Sequence, residues 1–252
     1  DAEDPAVREQ FRAEARLQAR LDHPNIVRVL DFEDEVALPY LVLEYIQGWT
    51  LAELIAKEGR VAPEPALRKV LQIGEGLAAL HQLGVVHRDV KPGNILLPAD
   101  GRGAKLADLG LALVIGQARA AGVSDTPRGV VVGTAAYIAP EQALCLPVID
   151  HRADVYSLGA TLYHALTGRL PFPGRSRLEV LFKHTQEVLV PPDRLVPALG
   201  SAVSDLIGRM MAKDPGGRHQ TYPELLADLA ALVRKPPNVA PVSYTHLRAH
   251  ET

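Results

Sequence analysis

The chain has 252 residues, 47% of them hydrophobic and 23% charged, with a formal net charge of -3. That length allows one large domain, or one domain in two lobes, with an ample core. The charge gives no reason to expect nucleic acid or an anionic membrane as partner. Cys145 is the single cysteine, so no internal disulfide can form and a reducing compartment fits. No apolar run reaches the length of a membrane span, and the acidic start DAEDPAVREQF is unlike a signal peptide. A cytoplasmic protein is expected, or a domain on the cytoplasmic face of a membrane-anchored one.

Val7, Phe11, Ala15 and Leu21 fall at mostly helical spacing and predict a charged-faced helix over about 7–21. Pro24 in HPN ends it. IVRVLDFE and YLVLEYI then read as two short strands paired antiparallel. Thr50 and Glu53 have the spacing of a capping box that opens a short helix. A long helix is predicted over about 66–83, with Leu67, Val70, Leu71, Gly74, Leu77, Ala78 and His81 on its buried face. NILL and AKLADL are strand-like pieces around a turn. Residues 114–133 read as a long loop of the kind that tends to be functional or disordered. Beyond it the pattern is helical: Asp154–Thr167, a helix marked by Val203, Leu206, Ile207, Met210 and Met211, and two more capping boxes at Ser176–Glu179 and Thr221–Glu224. After two prolines the tail NVAPVSYTHLRAHET has no apolar periodicity, and its SYTHLRAHET resembles translated sequencing-adapter read-through. It is excluded from the fold, and the spacing of His246 and His250 is not taken as a metal pair.

The densest polar cluster is His87-Arg-Asp-Val-Lys-Pro-Gly-Asn94, at the end of an apolar run. Asp89 can accept a proton from a hydroxyl nucleophile, and Lys91 can neutralise a migrating anionic group. Asn94 offers a neutral oxygen suited to Mg²⁺, and Asp108, ending a strand ahead of Gly110, can reach the same ion. Phosphoryl transfer needs little beyond neutralised phosphates, an in-line hydroxyl and a group to orient it. His87 reads as a packed core residue, and Cys145 as an inert loop thiol.

These motifs, in this order, resemble the catalytic domain of a protein serine/threonine kinase, above all the eukaryotic-like kinases of bacteria. The resemblance implies an α+β, two-lobed protein-kinase-like fold, with an incomplete N-lobe (the family's αC helix plus two strands) and a large, mainly helical C-lobe. It divides the chain into a partial N-lobe and hinge at 1–46, a C-lobe at 47–235 and an artefactual tail at 236–252. Glu14 resembles the ion-pairing glutamate of the αC helix. Leu43 stands as gatekeeper, the backbone of Glu44 and Ile46 faces adenine, and Leu96 lies beneath it. The resemblance implies that Asp89 and Lys91 are catalytic and that Asn94 and Asp108 hold Mg²⁺. Lys91-Pro92 favours the serine/threonine class, and Leu109 stands where the family usually has Phe.

GTAAYIAPE resembles the segment that seats a polypeptide, with Thr134 near the catalytic Asp89. Asp154 is expected to hold the catalytic loop's backbone, and Arg218 to pair with Glu141. Arg88 is expected to receive a phosphate carried by Ser124 or Thr126, with Thr126 ahead, and autophosphorylation would bring two copies together. The implied activity is transfer of the γ-phosphoryl of ATP to protein Ser/Thr hydroxyls with Mg²⁺. Thirteen residues precede Glu14, too few for the family's glycine-rich loop and strand-three lysine. The chain is therefore expected to be an N-terminally truncated fragment, inactive by itself. Two other readings are a pseudokinase serving as a scaffold module and a small-molecule phosphotransferase. Intact Asp89, Lys91, Asn94 and Asp108 oppose the first; GTAAYIAPE opposes the second.

Overall fold

The computed structural model describes residues 21–33, 40–101, 103–108 and 135–237. The expected helix at 7–20, the long loop, Glu14, Leu109, Ser124, Thr126, Thr134 and the tail from 238 on lie outside those residues. Two small sheets accompany a helical body. β1 (Val29–Glu33) and β2 (Tyr40–Leu43) pair antiparallel, Val29 opposite Leu43 and Glu33 opposite Tyr40, with a register shift around Leu30. β3 (Gly48–Thr50), β4 (Ile95–Pro98) and β5 (Lys105–Leu106) form an antiparallel sheet in that order.

The helices are α1 (Leu51–Glu58), α2 (Pro63–Gln82), α3 (Pro140–Ala143), α4 (Arg152–Thr167), α5 (Arg177–Gln186), α6 (Pro192–Leu195), α7 (Gly200–Met210) and α8 (Tyr222–Arg234). α4 is the central rod, buried on every side from Ala153 to Tyr163. α2 lies against α4 and α8, burying Leu67, Val70, Ile73, Leu77 and Leu80. α7 adds Val203, Leu206, Ile207 and Met210. At Gly159 of α4 an added Cβ would come within 2.8 Å of Met210 Cβ, so the absent side chain sets the α4–α7 distance. Among the described residues no helix is long and apolar enough to cross a membrane.

The antiparallel hairpin forms as its sequence predicts, but it starts three residues later than the apolar run. Ile26 and Val27 belong elsewhere: the Val27 amide donates to Leu106 O at 2.9 Å, and the Leu106 amide donates to Asn25 O at 2.8 Å. β5 thus takes the Val27 amide and the Asn25 carbonyl on either side of Ile26, while the Ile26 amide donates to His23 O at 3.1 Å, so this stretch does not extend β1. The Asn25 side chain adds a buried bond to Ala104 O at 2.9 Å. Gly76 of α2 makes room for this joint, since a Cβ there would meet Asn25 O at 3.1 Å and Ile26 Cδ1 at 2.9 Å.

Local signals succeed and fail for physical reasons. Thr50 and Glu53 close the reciprocal box, with Glu53 N donating to Thr50 Oγ1 at 3.1 Å and Thr50 N to Glu53 Oε2 at 2.7 Å. At the other two sites the hydroxyl caps the helix, but the glutamate reaches one residue further back. Glu179 accepts from Arg175 N at 2.7 Å and Glu224 from Gln220 N at 2.9 Å. Both carboxylates also face a cation, Lys183 and Arg209 respectively, which draws them off the cap amide. The buried face of α2 is also corrected. Ile73 and Leu80 belong to it, Leu71 and Ala78 are half-buried, and His81 is exposed at the rim, its ring 4.3 Å from that of His151.

His184 of α5 is fully buried between α4 and the segment ahead of α3. Its Nε2 donates to Ala136 O at 3.1 Å, so Nδ1 accepts from the Tyr156 hydroxyl at 2.9 Å. Burial first, and the nearby Lys213 charge second, push the imidazole down to about 4. The unfolded chain binds this proton below about 6.5, whereas the folded chain resists it until about 4. The contribution of His184 is therefore complete above about 6.5 and is lost as pH falls through that window, on the order of 3 kcal/mol in all. Urea unfolding across the window should show a smaller acid loss for His184→Gln than for the wild type. An equal loss in both would remove His184 as a source of acid sensitivity.

Candidate active site

The loop His87–Lys91 joins α2 to the short 3₁₀ turn Pro92–Asn94 and then β4. Its backbone does not fold on itself; it is held from α4. Asp154, in the first turn of α4 and 1% exposed, accepts from His87 N at 2.8 Å and from Arg88 N at 2.7 Å. Burial pushes this carboxyl up, and the two amides pull it back towards the charged form they bond. Arg88 takes a left-handed φ of 66°, uncommon for a residue with a Cβ, and the outside bonds sustain it. His87 is fully buried, as its sequence setting predicts. Its Nδ1 accepts from Asp89 N at 3.2 Å, which leaves Nε2 as the donor to Ala107 O at 3.0 Å.

This scaffold presents three side chains together. Asp89 Oδ2 accepts from Lys91 Nζ at 2.5 Å and from Asn94 Nδ2 at 3.1 Å. Asn94 Nδ2 also bonds Asp89 O at 2.9 Å, so its Oδ1 faces away from Asp89. Ala107 N donates to Asn94 O at 2.8 Å, which brings Asp108 beside the loop. Asp108 is exposed and has a left-handed φ of 59°. Asn94 Oδ1 and the Asp108 carboxylate are hard oxygen donors. Among the described residues no set of three or more His, Cys, Asp or Glu gathers to hold a metal. Two protein oxygens completed by phosphate and water suit Mg²⁺, which keeps much of its hydration.

Towards the first sheet, Leu96 alternates with buried Ile95 and Leu97 and so faces the other side of β4. Leu43 ends β2, partly exposed, with Glu44, Tyr45 and Ile46 following it. Glu44 N donates to Arg28 O at 2.9 Å, while its Oε1 accepts from Arg28 N at 2.8 Å and Lys105 Nζ at 2.6 Å. Burial raises the Glu44 carboxyl, but Lys105 and the Arg28 amide outweigh it and hold it below the ordinary carboxylate value. Lys105 sits in β5 opposite Leu96, three residues before Asp108, so this ion pair ties the segment after β2 to the strand leading to Asp108. A lysine between apolar neighbours in AKLADL was the one sequence sign of this contact; its partner was not readable.

On the other flank lies Ala135–Ala139. Besides His184 on Ala136 O, the Tyr137 hydroxyl bonds His164 Nδ1 at 2.7 Å, and Ala139 N donates to Gln142 Oε1 at 3.1 Å. Glu141 meets Arg218 in a buried two-pronged pair at 2.7 and 2.8 Å. The remaining guanidinium donors bond Ala212 O, Arg152 O and Lys213 O, so all five are satisfied. The Glu141–Arg218 and Asp154 contacts are those the motif order implied. His164, His184 and Gln142 carried no sequence signal.

A family model described as the protein kinase domain matches residues 1–228. Over its whole length the chain is 38% identical to the "Probable serine/threonine-protein kinase PknB" of Corynebacterium glutamicum, spanning 39% of that protein. It is 38% identical to the "Serine/threonine-protein kinase PknB" of Mycobacterium tuberculosis over 95% of this chain and 38% of that one. The chain thus spans less than half the length of these relatives. Among solved structures it is similar to Rad53 1–466 in complex with AMP-PNP, with a TM-score of 0.70 and 26% identity over 86% of this chain and 53% of that one. The chain belongs to the protein kinase domain family.

Proposed function

We propose that this chain carries the transfer centre of a serine/threonine protein kinase, moving the γ-phosphoryl of ATP to a protein hydroxyl. The observation that carries the reading is the Asp89–Lys91–Asn94 cluster on a backbone held by a buried Asp154. Asp89 orients the acceptor hydroxyl and takes its proton as that oxygen bonds the γ-phosphorus and the bond to the bridging oxygen breaks, with ADP as leaving group. Lys91, within reach of the same carboxylate, offsets charge on the migrating group. Asn94 and Asp108 would hold Mg²⁺, which when bound neutralises the phosphate oxygens and orients them. Leu43 and Leu96 offer apolar faces to adenine, with the backbone beyond Leu43, at Glu44 and Ile46, at its edge. Because the Glu44 amide already bonds Arg28 O, its carbonyl is the group left to meet the base. Similarity to a structure holding AMP-PNP supports ATP as the nucleotide.

The same reading assigns regulation. The Nε of Arg88 is buried without a hydrogen-bond partner among the described residues, as a guanidinium awaiting an anion would be. A phosphate on Thr126 or Ser124, placed there by a second copy, supplies one. By the family reading Thr134 would serve the acceptor site and Glu14 the nucleotide, although both lie outside the described residues. The reading divides the chain into a partial N-lobe at 1–46 and a C-lobe at 47–235, and sets it in the cytoplasm or on the cytoplasmic face of a membrane-anchored protein.

In the full-length gene product, Asp89→Asn should cut turnover by about 10² or more while MgATP affinity changes far less. Asp108→Ala should instead weaken MgATP binding itself. Peptide phosphorylation and nucleotide titration measure the two separately. Intact transfer in Asp89→Asn would show that the proton-accepting group lies elsewhere.

A further inference from the structure

Gln142 of α3 bridges two loops. Its Oε1 accepts from Ala139 N at 3.1 Å, and its Nε2 donates to Arg88 O at 2.9 Å. One amide orientation satisfies both, because Ala139 presents a donor and Arg88 an acceptor. The Arg88 carbonyl shares a rigid peptide plane with the Asp89 amide. That amide is held on the opposite edge by His87 Nδ1, and the preceding plane is held by Asp154 at Arg88 N. Arg88, between the two planes, has the unfavourable left-handed φ. Freed at its carbonyl, it has a conformational preference to relax towards, and relaxing it would turn Asp89. The side-chain bonds of Asp89 come from Lys91 and Asn94 of the same loop, which move with it.

We infer that Gln142 is a positioning residue that couples the polypeptide seat at Ala135–Ala139 to the orientation of Asp89. This rests on the reading of Asp89 as the transfer site. A substrate that presses the seat into place fixes Ala139, through it the Gln142 amide, and so the Arg88–Asp89 plane. The coupling is short: two hydrogen bonds on one side chain, joining positions 54 apart in sequence.

Two variants of the full-length gene product separate the arms. Gln142→Glu keeps an acceptor for the Ala139 amide and sets another acceptor against Arg88 O. Gln142→Leu removes both bonds. Each should lower kcat for a serine/threonine peptide about tenfold, with KM for MgATP within about twofold and the thermal midpoint nearly unchanged. The Asp89 amide should exchange faster with solvent in both variants of the nucleotide-free protein. Wild-type kcat in Gln142→Glu would overturn the coupling. So would a loss that tracks weaker MgATP binding and a lower midpoint, because that pattern is general destabilisation. If the wild type transfers no phosphoryl group, the assignment of Asp89 fails. Asp89 amide exchange then still decides whether Gln142 holds the plane, and unchanged exchange would overturn that.

Discussion

Two oxygens of one buried carboxylate hold the peptide groups on which the candidate site is built. Removing Asp154 from water costs several kcal/mol, and two amide bonds to a charged acceptor return about 1.5–3 kcal/mol each. Its place in the first turn of α4 adds the favourable field of that helix's amides. The balance leaves His87 and Arg88 fixed in a conformation the chain does not adopt unaided. Asp89, Lys91 and Asn94 follow within six residues and meet one another there. The polar cluster is therefore organised less by its own residues than by the helix beneath it.

A second anchor works from the opposite side. Arg218 and Glu141, both buried, satisfy one another and the carbonyls around them, so the segment after Ala139 rests on the helical body. Breaking such a pair leaves an uncompensated buried charge, costing about 3–5 kcal/mol, although the intact pair adds little net stability. Its effect is on geometry. His184 and His164 continue the same attachment along Ala136 and Tyr137. Two loops carrying polar chemistry are thus pinned to the packed helices α4, α5 and α7–α8, and they meet at Gln142. The first sheet is tied in differently, by backbone bonds from Asn25 and Val27 to Leu106 and by Glu44 with Lys105.

Much of this was legible in the sequence, and the line between legible and hidden is a physical one. Thr50–Glu53, the hairpin, the long α2 and the four-residue periodicity of α4 and α7 depend on neighbours within a turn or two, so local pattern reveals them. The Asp89, Asn94 and Asp108 spacing was readable because it matches the motif order of the protein kinase family. What stayed hidden depends on who lies across the gap. Ile26 and Val27 look like more of β1 until β5 takes the Asn25 carbonyl and the Val27 amide on either side of Ile26. Glu224 looks like a box partner until Arg209, fifteen positions away, draws it aside. Lys105, His184 and Gln142 act across 61, 48 and 54 positions, distances at which no periodicity speaks.

If Asp154 is the constraint on which the loop depends, the loop's amides should report it without any substrate. Hydrogen exchange at His87 N and Arg88 N, compared between the wild type and Asp154→Ala, is the most direct measurement. Protection at both amides should fall by about 10² or more in the variant, while amides in the middle of α2 and α4 keep theirs. Unchanged protection at His87 and Arg88 would mean that the loop holds its own shape and that Asp154 only fills space beneath it.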